Sequence, residues 1–122
     1  MRPETLMLRQ VNSQWIQDGR LSSLAFRASR QHDFLISVYD GSAISPLDSM
    51  DHFKEVAGLD TVGVWAVTVA EAGSHGVPVE LSPIKGNPFH AHLDCRERSG
   101  GELKRLSNHL RNSADARGRL HP

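Results

Sequence analysis

The segment Pro88-Phe89-His90-Ala91-His92-Leu93-Asp94-Cys95 concentrates the groups best able to do chemistry. Read as a β-strand it alternates without a break. Phe89, Ala91, Leu93 and Cys95 fall on one face, and His90, His92 and Asp94 on the other. Imidazole changes charge near neutral pH, so two imidazoles beside a carboxylate can move protons. The same trio can hold a divalent metal, with His90 and His92 as ligands and Asp94 as a third. His52 and His75 are the candidates for a further ligand from another element. The bland alternative is a polar strand face, and seven histidines in 122 residues make a His-x-His pair common by chance. No particular cofactor is specified by these residues.

Other reactive groups carry weaker patterns. Asp40 precedes Gly41 and could orient a histidine, although Asp before Gly more often bonds its own turn. The serines after Gly19-Arg20 lack the G-x-S-x-G elbow of an exposed nucleophile. Cys95 falls on the apolar face of its strand, which favours a packed, inert thiol. The order Arg9, a strand bearing Ser37, then Glu71 is similar to that of one class of ADP-ribosyltransferases. There, Arg would meet a pyrophosphate, Ser a ribose and Glu a developing cation. No P-loop, G-x-G-x-x-G, H-E-x-x-H or EF-hand loop is present.

These residues must be positioned by a small set of elements. Leu6–Val11 alternates as a first strand, and Asp18-Gly19 marks a turn. Leu24-Ala25-Phe26 suits a short strand or a helical turn. Phe34–Tyr39 is rich in β-formers and stops at Asp40-Gly41. Ser45 is an N-cap, Pro46 fits the first helical position, Asp48 completes a capping box, and Gly58 suits the helix end. The spacing predicts a helix over 45–58. Val62–Val69 is apolar on both faces, as a central strand would be if covered from both sides, or covered on one side and packed under a loop on the other. Glu71–His75 reads as one helical turn, Val77–Leu81 as an edge strand because of Pro78, and Pro83–Pro88 as a loop. After the capping box at Ser99 and Glu102, Leu103, Leu106, Leu110 and Ala114 form one stripe of a helix over 100–117. The expected class is α+β: one domain, residues 1–122, with a mostly antiparallel sheet and two main helices.

Composition narrows the function classes. The chain is long enough for one core without disulfides. Fourteen basic and fourteen acidic residues balance. Overall there is no cationic footprint of a nucleic-acid binder, although Arg96, Arg98, Lys104, Arg105, Arg111, Arg117 and Arg119 make the last quarter basic. The mean hydropathy is −0.39, and the longest apolar run is too short to cross a bilayer. A single cysteine and the lack of a signal-like apolar region point to a reducing, cytoplasmic setting.

Leu8-Arg9-Gln10-Val11, Gln17-Asp18-Gly19-Arg20, Ser23, Ala25-Phe26-Arg27 and Ser37-Val38-Tyr39-Asp40-Gly41 together resemble the opening of a group of short, uncharacterised bacterial proteins. The resemblance implies a bacterial source and assigns no function. The leading expectation is therefore a non-catalytic module that binds another protein, in an accessory or regulatory role. The alternative is a His-dependent enzyme or metal-binding protein built on His90, His92 and Asp94, acting on a phosphate-containing substrate. Nucleic-acid binding through the basic last quarter comes third.

Overall fold

The computed structural model describes residues 1–121. Strands β1 (Leu6–Val11), β4 (Leu35–Asp40), β5 (Gly63–Thr68), β6 (Val79–Leu81) and β7 (His90–Asp94) form one antiparallel sheet in the order β5-β1-β4-β7-β6. A separate hairpin pairs β2 (Ile16–Gln17) with β3 (Arg20–Leu21). Its turn is Asp18-Gly19, both at positive φ, as a two-residue hairpin turn requires. Leu24–Phe26 lie in a 3-10 turn, Ser23–Phe26. The helices are α1 (Pro46–Glu55), α2 (Val69–Ser74) and α3 (Gly100–Arg117). The class is α+β, and no helix is long and apolar enough to cross a membrane.

Both faces of the sheet are apolar, for different lengths. On one face Met7, Val11, Ile36, Val38, Val67, Ala91 and Leu93 meet the α3 stripe Leu103, Leu106, Leu110 and Ala114, together with Phe26. On the other, Leu8, Tyr39, Val64 and Ala66 meet Met50 of α1, with Phe53 and Phe89 at the margin. Helix α1 lies against β1 and β5. It reaches Tyr39 of β4 and leaves the β7–β6 side of that face uncapped. This asymmetry creates the cleft described below.

Two expectations need correction. The strand at 63–68 is not central: β5 is a sheet edge. It is apolar on both faces because Val67 packs with α3 and Val64 and Ala66 pack with Met50 of α1, while the C-terminal segment closes its open edge. Val64 N–H donates to His121 O, Leu120 N–H to Val64 O, and Arg117 Nη1 to Ala66 O, at 2.8, 2.8 and 2.9 Å. The first long helix ends at Glu55, short of 58. Gly58, at φ +69°, turns the chain so that Leu59 N–H reaches back to Phe53 O. Its N-terminus is as expected in part: Ser45 Oγ accepts from Asp48 N–H at 3.1 Å. A full reciprocal capping box forms instead at Thr68 and Glu71 of α2.

Candidate functional site

His90, His92 and Asp94 share one face of β7, with Ala91 and Leu93 buried on the other. That face is not simply solvent-facing, because the strand register places Ser37 opposite His92 and Tyr39 opposite His90. The three residues have separate partners. Asp94 is taken by Arg96, which bonds it through Nε and Nη2 at 3.0 and 2.7 Å. Those bonds hold its carboxyl down at about 2. His92 points Nε2 toward Glu80 Oε2 at 3.7 Å, too long for a hydrogen bond, and that nitrogen is buried without a partner. The His90 and His92 ring centres are 6.4 Å apart. Among the described residues, no three His, Cys, Asp or Glu side chains are grouped to hold a metal ion.

His90 has the most specific environment. Its Nδ1 lies 2.9 Å from Ser82 O and its Nε2 lies 3.2 Å from Ser37 Oγ. A carbonyl can only accept, so Nδ1 carries a proton. In the neutral ring Nε2 is then the acceptor, and Ser37 Oγ–H donates to it. Ser37 is exposed. An exposed hydroxyl is thus aligned on a histidine whose tautomer is set by a third group, as in nucleophile–base–orienter sites.

A parallel relay stands beside it. Tyr39 O–H donates to His52 Nδ1 at 2.8 Å, and His52 Nε2–H donates to Gly86 O at 2.8 Å. Burial pushes the Tyr39 hydroxyl up to about 12, so it remains a donor. Ser37 and Tyr39 are two apart on β4 and share a face. The carbonyls of Ser82 and Gly86 come from the one connection between β6 and β7. That connection is pinned by paired bonds between Ile84 and Asn87, with Gly86 at φ +82°. His52 therefore approaches the site through Tyr39 and not as a ligand beside His90. His75 lies elsewhere, stacked on His109 at 4.4 Å.

Both relays border an open cleft of about 220 Å³, lined by Arg9, Ser37, Tyr39 and His90 and by Phe53, Leu59, Ile84 and Asn87 among others. Its near wall is the end of α1 and the turn after it. Gln10 ties α1 to β1: its Nε2 donates to Ser49 Oγ at 2.8 Å, and Ser49 Oγ donates to Pro46 O at 2.7 Å.

The remaining candidates are structural in their contacts. Asp40 Oδ1 accepts from Ser42 N and Oγ within its own turn. Cys95 is buried, and burial raises its thiol to about 11. Glu71 caps α2 and pairs with Arg117, so it does not join Arg9 and Ser37. Burial alone would raise the Glu71 carboxyl, but the bonds from Arg117 and Thr68 outweigh it and lower it. In the basic last quarter, Arg96, Arg98 and Arg117 are paired with carboxylates, and Arg119 lies over the Trp65 ring. Sequence reasoning missed Ser37 as the partner of His90, and Tyr39 and Arg9 as lining of the same cleft. The available signal was the two hydroxyl residues at i and i+2 on β4. No protein-family model, curated protein or solved structure matches this chain.

Proposed function

We propose that the protein is a small His90-dependent enzyme that acts on an ester in the cleft beside β4, with Ser37 as its nucleophile. The observation that supports this reading is the line Ser37 Oγ–His90 Nε2, His90 Nδ1–Ser82 O. Ser37 Oγ would attack the ester carbonyl carbon while His90 Nε2 takes the hydroxyl proton. The imidazolium is steadied by Ser82 O through Nδ1–H. His90 then gives the proton to the leaving alcohol oxygen as the C–O bond breaks, leaving an acyl group on Ser37. A water, deprotonated by His90, releases the acid and restores the hydroxyl. His92 and Asp94 take no direct part; each is turned toward its own neighbour. A reducing cytoplasm suits the single buried thiol.

The test is covalent. A fluorophosphonate incubated with the folded protein should phosphonylate Ser37, located by peptide mass spectrometry. His90→Asn should slow labelling by about 10²-fold or more, and Ser37→Ala should abolish it. A folded wild-type protein that stays unlabelled would overturn the assignment. A second reading has its own observation: Leu59 and Ile84 are exposed apolar side chains that line the cleft. A docking module for a protein partner would use such a surface and would have no need of an activated serine.

A further inference from the structure

Arg9 is bound in an unusual way. Its Nε donates to Ala25 O and its Nη1 to Ser37 O, both at 2.8 Å, and its guanidinium lies 4.7 Å from the centre of the Trp15 ring. All three partners are neutral. Among the described residues, the other arginines that bond within the chain, Arg2, Arg20, Arg96, Arg98 and Arg117, each also reach a carboxylate. Arg9 reaches none, although the chain carries fourteen acidic residues. Burial lowers its pKa to about 10, which still leaves it charged at neutral pH. A cation withdrawn from water without a counter-ion is costly, and removing one side of a buried pair shows how costly.

The backbone explains where that charge points. Strands β1 and β4 pair at Met7–Asp40 and Leu8–Tyr39. Two residues further along β4, Ser37 O accepts from the Arg9 guanidinium. The strands part there, and the gap belongs to the cleft that Arg9 and Ser37 both line. Arg9 Nη2 makes no hydrogen bond among the described residues and is not sealed from solvent. On the opposite wall, Asn87 Oδ1 accepts from Phe89 N–H at 3.0 Å, which leaves its amide donors unused. Gln10, Tyr39 and His90 also line the cleft, and its apolar lining includes Phe53, Leu59 and Ile84.

We infer that the natural ligand of this cleft carries an oxyanion, a carboxylate or a phosphate, that seats on Arg9 with help from Asn87, joined to an apolar body that lies on Phe53, Leu59 and Ile84. Guanidinium presents paired N–H donors matched to both oxyanions, and the missing counter-charge is supplied by the ligand. The inference rests on the cleft being the working site of Ser37 and His90, and it names the class of ester acted on.

The probes are inorganic phosphate and acetate, titrated separately into ¹⁵N-labelled protein and read by NMR at Arg9 Nε–Hε and at the Ser37 and Asn87 amides. Saturable shifts centred on these groups are expected. The tighter of the two anions identifies the ligand's charged group. Arg9→Gln should weaken binding about tenfold or more, and Arg9→Lys, which keeps the charge and guards against a folding defect, should retain part of it. Absence of saturable shifts with both anions, shifts centred elsewhere, or equal affinity in a folded Arg9→Gln protein would each overturn the inference. These shifts report anion capture alone and fluorophosphonate reports Ser37 alone, so failure of one is distinguishable from failure of the other.

Discussion

His90 and Asp94 lie on one strand face and end in opposite electrostatic situations. His90 meets a hydroxyl and a carbonyl, both neutral. Asp94 meets a guanidinium and is locked as an anion. The bonds from Arg96 depress its pKa to about 2, against about 3.9 in an unfolded chain. A depressed folded pKa stabilises the fold above the unfolded value, and that contribution fades as pH falls toward about 2. Denaturant melts between pH 5 and pH 2 should therefore show a shallower loss of stability in Arg96→Ala than in the wild type. Parallel curves would mean that the Arg96–Asp94 pair does not contribute in solution. The same reasoning leaves Cys95 out of the chemistry, since a thiol raised to about 11 is scarcely ionised at neutral pH.

At the scale of elements, the cleft exists because α1 stops short. Its N-terminus is set by Ser45, whose Oγ accepts from Asp48 N–H, and its first turn is tied to β1 through Ser49 and Gln10. Its far end carries His52 to Tyr39 and to Gly86 of the β6–β7 connection. Ser45→Ala removes one partner of an N-terminal donor and should cost about 1 kcal/mol in denaturant melts. An unchanged midpoint and slope would mean that the cap is not formed. The β6–β7 connection matters for another reason. Its two carbonyls select the tautomers of both His52 and His90, so a short turn far from the core decides which ring nitrogen faces each hydroxyl.

At the scale of the whole molecule, the exposed-edge hazard of β5 is met by the chain's own end. Deleting residues 120–122 would strip the partners of Val64 N–H and Val64 O and bare part of an apolar edge. Concentration-dependent self-association in sedimentation velocity is the expected result, and a truncated protein that stays monomeric at the highest concentration would refute it. Much of the scaffold was legible in the sequence. The strands at 6–11 and 90–94, the edge strand with Pro78 and the α3 stripe follow from periodicity and capping, which act over a few residues. So did the common face of His90, His92 and Asp94. What periodicity could not supply was neighbourhood. It read Val62–Val69 as central from its apolar faces, because helices packed on both faces of an edge strand leave the same pattern in the sequence as those covering a central one. Ser37 stands 53 residues before His90, and Arg9 reaches Ser37 only where β1 and β4 part. The sequence by itself determined which residues lie on which face of each element. Tertiary pairing decided which faces meet, because strand order and divergence arise from long-range contacts that no local pattern records.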